Sequence, residues 1–312
     1  TALKRRFEQR GRPWTENNLK QARFPEGAKV IPNPRGTAPG FRIEVAKNKW
    51  LIWLSGVPRE MVEMMQNSVL PWISESLTTG DVASHTFKVY GLTESKLDDI
   101  LKPVQLPETA QLSFRAHYPD LSLRLVFRGG KEDSEPFQDL KSRIGELIEP
   151  YVYGEGDQTL EEIVGQLLLD RQWTVALAES CTGGYTSHRL TRVPGSSNYF
   201  KGSAVTYSNE AKMDVLGVKK STIDGFGPVS QQTAMEMAEG IRSKMEADIG
   251  MSVTGVAGPD GGTPETPVGT VWIGLALSGS VEAQLFNLQG DRERVVQGAS
   301  QAVLHWLRKV LL

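Results

Sequence analysis

The stretch Thr174-Val175-Ala176-Leu177-Ala178-Glu179-Ser180-Cys181-Thr182-Gly183-Gly184 decides how the C-terminal half of the chain is read. Its first five residues make a short apolar run suited to a buried strand, and Gly183 and Gly184 let the backbone turn closely before a helix begins. A hydroxyl at the end of such a strand would face a helix N-terminus, whose free N–H groups can stabilise an oxyanion. Outward from this junction, further strand patterns fall at 203–207, 250–253, 270–277 and 282–288. Helical patterns lie at 160–169, 184–192, 209–216, 230–246 and 292–310. Such alternation predicts an α/β/α sandwich, a sheet covered by helices on both faces.

At 312 residues the chain is long enough for two or three cores. Residues 1–77 open with helical stretches, including one over 1–8. Two short strands follow, 29–31 and 50–54, parted by the turn-forming run Asn33-Pro34-Arg35-Gly36-Thr37-Ala38-Pro39-Gly40. Residues 78–153 read as a small α+β unit, with strands at 86–90, 111–116 and 121–127 and helices at 94–101 and 135–148. Tyr151 to Asp157, carrying Gly154 and Gly156, reads as a linker to residues 154–312. The fold class expected is therefore α/β and multidomain. Because Thr1 opens what reads as the middle of a helix, the chain is expected to begin inside a larger protein.

A net charge of −2 argues against a general nucleic-acid binder, which needs a clustered excess of Lys and Arg. The single cysteine, Cys181, excludes an intramolecular disulfide, and His85, His117, His188 and His305 lack zinc spacing. Apolar runs are far shorter than the roughly 20 residues that cross a bilayer. The expectation is a cytoplasmic protein with no membrane or nucleic-acid partner.

Ser180 needs a base, and no histidine is placed to supply it. There is no G-x-S-x-G elbow and no Lys three residues on. What remains is distant: Lys212, within Tyr207-Ser208-Asn209-Glu210-Ala211-Lys212, sits in the first turn of a helix, where the dipole should lower its pKa. A third junction, Thr254-Gly255-Val256-Ala257-Gly258-Pro259-Asp260-Gly261-Gly262, follows a strand and can offer backbone N–H groups to a phosphate, to which Arg292 could add a bidentate contact. Each feature has a plainer reading: Ser180 as a helix cap, Lys212 as a solvated charge, the glycine loop as a turn. Cys181 as nucleophile is the weaker alternative, since its base is equally missing.

Together with Pro194-Gly195-Ser196-Ser197 and Pro228-Val229-Ser230, these runs resemble, in order and spacing, the CinA C-terminal family, the PncC-type nicotinamide-nucleotide amidohydrolases. The resemblance implies hydrolysis of nicotinamide mononucleotide to nicotinate mononucleotide and ammonia by a Ser/Lys mechanism. Ser180 would be the nucleophile and Lys212 its base, with Tyr207 beside them. It implies substrate contacts from Thr182, Gly183, Ser197, Asn209, Thr254, Gly255, Gly258 and Arg292, no metal or cofactor in this half, and a homodimer. One departure is Thr266, where relatives often carry a lysine before Pro267-Val268-Gly269-Thr270.

Thr15-Glu16-Asn17-Asn18, Gly36-Thr37-Ala38-Pro39-Gly40 and Gly56-Val57-Pro58-Arg59-Glu60 resemble the end of the family's molybdopterin-binding-like N-terminal domain. That domain, when complete, can be a divalent-metal-dependent ADP-ribose pyrophosphatase. The middle unit resembles the family's KH-like connecting domain but lacks a G-x-x-G clamp. The competing expectations are pyrophosphatase chemistry in the N-terminal domain, or a non-catalytic nucleotide-binding, competence-associated scaffold.

Overall fold

The computed structural model describes Lys4, Gly11, Pro13, residues 15–76 and residues 80–312. The helix expected over residues 1–8 lies, but for Lys4, outside the described residues, as does the 77/78 boundary. The chain divides into two compact units, Thr1–Asp81 and Val82–Leu312.

The first unit carries a 3₁₀ helix at Glu16–Ala22 and an antiparallel sheet of β1 (Lys29–Ile31), β2 (Gly40–Ala46) and β3 (Lys49–Trp53) in that spatial order. β2 is not evident from sequence because the turn-rich run before it masks the alternation of Phe41 to Val45. After it come α1 (Pro58–Met64), a π-helical turn (Met65–Val69) and α2 (Leu70–Ser76). The core of this unit gathers around Ile31, Met64 and Val69.

The second unit opens with β4 (Val82–Val89), α3 (Glu94–Leu101), β5 (Ala110–His117), β6 (Asp120–Arg128), α4 (Glu135–Ile148) and β7 (Val152–Glu155). The strands form an antiparallel sheet in the order β5-β6-β4-β7. Along β6 every second residue is buried, Leu121, Leu123, Leu125 and Phe127, and these pack with Phe137, Leu140 and Ile144 of α4. The segment expected to be a linker is instead the edge strand β7. Its Gly154 suggests flexibility by sequence, yet a Cβ there would come within 2.6 Å of Ile163 Cδ1, so the glycine serves close packing.

Next in the chain come α5 (Leu160–Arg171), β8 (Val175–Glu179), α6 (Tyr185–Thr191), β9 (Phe200–Val205), α7 (Asn209–Leu216), α8 (Lys220–Phe226) and α9 (Gln231–Lys244). The last elements are β10 (Ile249–Gly255), β11 (Thr270–Leu277), β12 (Ser280–Asn287) and α10 (Arg292–Leu311). The sheet order is β12-β11-β10-β8-β9. β10, β8 and β9 run parallel, while β11 and β12 are antiparallel.

β8 is buried along its whole length. Val175 and Leu177 pack with Val164 of α5, Leu190 of α6 and Val295 of α10. Ala176 and Ala178 point the other way, onto Leu216 of α7 and Met237 and Ile241 of α9. Helices therefore cover both faces, as an α/β/α sandwich requires. α9 approaches the sheet closely because small residues meet it. Ser252 donates to Ala234 O at 2.6 Å, and a Cβ on Gly250 would lie 2.6 Å from Arg242 Cβ. Among the described residues no helix is long and apolar enough to cross a membrane.

Candidate active site

Three parallel strands end side by side, and the segments after them line one cavity of about 250 Å³. After β8 come Ser180 and Cys181, after β9 come Tyr207, Asn209 and Lys212, and after β10 comes the glycine loop from Val256 to Gly261. The carboxyl edge of a parallel sheet is where backbone geometry leaves a crevice for a ligand.

Ser180 is fixed by its own backbone, its N–H donating to Val253 O at 2.9 Å across to β10. Lys212 occupies the fourth position of α7, which Ser208 caps through the Ala211 N–H. Its side chain turns inward and is only 2% exposed. Nζ lies 3.0 Å from Ser180 Oγ and donates to the Thr206 carbonyl at 2.9 Å. Among the described residues no carboxylate pairs with it. Burial lowers the Lys212 pKa from that of an exposed amine. The direction is the one expected from sequence, and desolvation is its main cause.

Sequence alone also sets an oxyanion against free N–H groups of the helix after Ser180. In the structure those groups instead serve Glu179, whose carboxylate is 1% exposed. Oε2 accepts from Thr182 Oγ1 at 2.6 Å, Gly184 N at 3.0 Å and Thr186 N at 3.1 Å. Oε1 accepts from Ser187 N at 2.8 Å and from the Ser187 hydroxyl. A buried anion at the start of α6 thus satisfies the donors that a helix N-terminus leaves over. The unengaged donors lie one step earlier. Among the described residues no protein acceptor takes the N–H of Cys181 or Thr182. The first of these directly follows the hydroxyl that would attack.

Cys181 is itself buried, and burial pushes its thiol up to about 12, so it stays protonated at neutral pH. That disfavours a thiolate nucleophile. His188 lies in the first turn of α6 on an exposed face and does not line the cavity.

On the far wall, Arg292, the first residue of α10, donates Nη1 to Gly258 O at 2.7 Å and Nη2 to Tyr207 Oη at 2.5 Å. These bonds tie the loop after β9 to the loop after β10. Tyr207 is 59% exposed and forms the rim. Among the described residues the N–H groups of Ala257, Gly258, Asp260 and Gly261 have no protein acceptor. They border the cavity as candidate anion contacts. Thr254 lines it too, but its hydroxyl is committed to Pro228 O at 2.8 Å.

Of the expected residues, the cavity gathers Ser180, Lys212, Tyr207, Asn209, Thr254, Gly255, Gly258 and Arg292. Thr182, Gly183 and Ser197 lie outside its lining. The Thr182 hydroxyl is spent on Glu179, Gly183 turns the backbone at φ 59°, and Ser197 sits exposed in a 3₁₀ helix at Ser196–Asn198. Glu179 and Asp260 were not among the residues expected from sequence. The first was legible as the one acid ending an otherwise apolar strand, whereas nothing in a glycine loop marks which of its residues faces a cavity. Among the described residues no group of three His, Cys, Asp or Glu side chains is placed to hold a metal ion.

Residues 157–311 match the model of the CinA C-terminal domain. A competence-damage inducible protein of Clostridium perfringens strain SM101 is 44% identical over 311 residues, spanning 98% of this chain and 74% of the relative. A CinA-like protein of Dictyoglomus thermophilum is 43% identical over 320 residues, spanning 99% and 76%. The solved competence damage-inducible protein of Klebsiella pneumoniae is 37% identical, covering 48% of this chain and 93% of its own, with a TM-score of 0.47. By its identity to the first two relatives over nearly its whole length, the chain belongs to the CinA family.

Proposed function

We propose that the cavity hydrolyses the carboxamide of nicotinamide mononucleotide, giving nicotinate mononucleotide and ammonia. The observation that carries this reading is the 3.0 Å approach of Lys212 Nζ to Ser180 Oγ inside a buried pocket. A hydroxyl is a weak nucleophile until a neutral base stands within hydrogen-bond reach. A buried amine without a carboxylate partner is held toward its neutral form, as that role needs.

As Ser180 Oγ attacks the amide carbon, its proton passes to Lys212 Nζ. The negative charge that develops on the carbonyl oxygen is received by the N–H group of Cys181, which lines the cavity. Collapse breaks the C–N bond, and the proton held on Lys212 goes to the departing nitrogen, which leaves as ammonia. Water then attacks the ester carbonyl and gives a proton to Lys212. The second collapse returns that proton to Ser180 Oγ and frees the acid.

Ammonia is a poor leaving group unless protonated, so one amine serving as base and then acid suits an amide. The phosphate is assigned to Arg292 and the unpaired N–H groups of the glycine loop, where a guanidinium can offer two parallel bonds. To accept it, Arg292 exchanges its bond to Tyr207. A cavity of about 250 Å³ is small, below the roughly 300–1,000 Å³ of drug-sized sites, and suits a mononucleotide better than a dinucleotide. Acid quenching of protein mixed with nicotinamide mononucleotide, followed by peptide mass analysis, tests the covalent step. An acyl adduct on the peptide containing Ser180 is expected; turnover with no adduct there, on a time scale that resolves the ester, contradicts the mechanism.

A further inference from the structure

The sheet of β4 to β7 buries one face under α3 and α4; the other face meets α10 at Asp120 and is open to solvent at Arg115, Arg124 and Arg128. Strand register settles which residues share it. Side chains of directly opposed residues in an antiparallel pair lie on the same side. On β6, Arg124 and Arg128 alternate with the buried residues and so point outward. Arg115 of β5 and Lys88 of β4 both stand opposite Ser122 of β6, which shares that outward side.

Four cations therefore occupy one face, three of them exposed. Among the described residues none of the four forms an ion pair. Lys88 reaches only the Ser122 hydroxyl and Arg124 only the Ser84 hydroxyl, each at 3.4 Å. The register places one acid on this side, Asp120, at the end of β6. Burial raises its pKa, and Gln301 and Tyr153 hold it. Gln111, Ser113, Thr86 and, opposite Asp120, His117 add groups able to hydrogen-bond.

Unpaired cations gathered on one surface are costly in mutual repulsion unless a polyanion meets them. Strands stand about 4.8 Å apart and rise about 3.3 Å per residue, so Arg115 and Lys88 are about 10 Å apart, and Arg124 and Arg128 about 13 Å. That patch is a few nucleotides across. We propose that this open sheet face binds a single strand of nucleic acid through its phosphates, without reading sequence, since its register positions carry no exposed Phe, Tyr or Trp to stack a base. The net charge of −2 is an average over the whole chain that conceals this face. The proposal does not depend on the chemistry assigned to Ser180.

Fluorescence anisotropy of a labelled 20-nucleotide oligouridylate against the whole chain, over a salt series, tests it. Four phosphate contacts at about 0.7 each predict a slope near −3 in log affinity against log salt, or about 50-fold weaker binding between roughly 50 and 200 mM. Arg124→Ser with Arg128→Ser should lower that slope by about 1.4. Arg124→Lys, which keeps the charge, should hold the wild-type slope and exclude misfolding as the cause. Arg143→Ala, on α4 across the sheet, should change nothing. The proposal fails if no salt-dependent binding is seen, if the double variant binds like wild type, or if Arg143→Ala weakens binding as much. It also fails if anionic phospholipid vesicles retain the protein while the oligonucleotide does not bind.

Discussion

Lys212 is 2% exposed and lies near a hydroxyl and a carbonyl, with no carboxylate partner among the described residues, an arrangement that costs stability. Its folded pKa is lowered by burial. Between that value and the unfolded value near 10.5 the unfolded chain binds the extra proton, so the penalty is full at lower pH and fades as pH rises toward 10.5. Lys212→Met should abolish ammonia release yet raise the melting temperature at neutral pH, by about 2–4 °C if ~1 kcal/mol is recovered. The gain should shrink toward pH 10, as calorimetry across pH would show. The same sign governs rate: kcat/KM should rise with pH through the Lys212 titration and level off above it.

Glu179 directly precedes Ser180, the proposed nucleophile. Glu179→Gln replaces one acceptor oxygen by an NH₂ that faces donors, leaving at least one buried N–H unpaired at about 1–3 kcal/mol. Denaturant titration should show that loss. Because α6 starts where Ser180 turns, kcat should fall with little change in KM.

At the level of elements, α9 sits against β10 and β11 because Gly250 and Gly274 leave room for its backbone. Gly250→Ala should cost about 1–3 kcal/mol through overpacking, read from the urea midpoint. The strands and helices around this core were legible because the apolar runs are buried on both faces and long enough to show their period. β11 and the small-domain helices α3 and α4 fall where their patterning put them. What escaped was written in pairing rather than in pattern. β2 is hidden behind a Gly- and Pro-rich run, β7 looks like a linker because its glycine makes room for Ile163, and α8 is a short helix of weak periodicity. At the site, runs of sequence located Ser180 and Lys212. The approach of two groups 32 residues apart depends on a tertiary contact that no local window contains. The pairing of Glu179 with the helix N-terminus spans only eight residues, and it escaped because nothing in the sequence marks a carboxylate as turned back onto the N–H groups that follow it.

Across the whole molecule, the cavity and all of its lining residues fall within Val82–Leu312. A fragment of residues 82–312 should therefore keep the kcat/KM of the full chain for nicotinamide mononucleotide. Arg292 reaches the cavity from the first turn of α10, whose far end packs on α5, so the unit's longest helix positions the proposed phosphate contact. Arg292→Lys keeps the charge but loses the two-pronged geometry, and should raise KM more than it lowers kcat.

The central claim is that Ser180 and Lys212 act as one catalytic pair on an amide. Ammonia released from nicotinamide mononucleotide by wild type, Ser180→Ala, Lys212→Met and the double variant tests it most directly. The account predicts steady release by wild type and equally deep loss in all three variants, because removing either member removes the pair. Release by Ser180→Ala at the wild-type rate, or no release by folded wild-type protein, would contradict it.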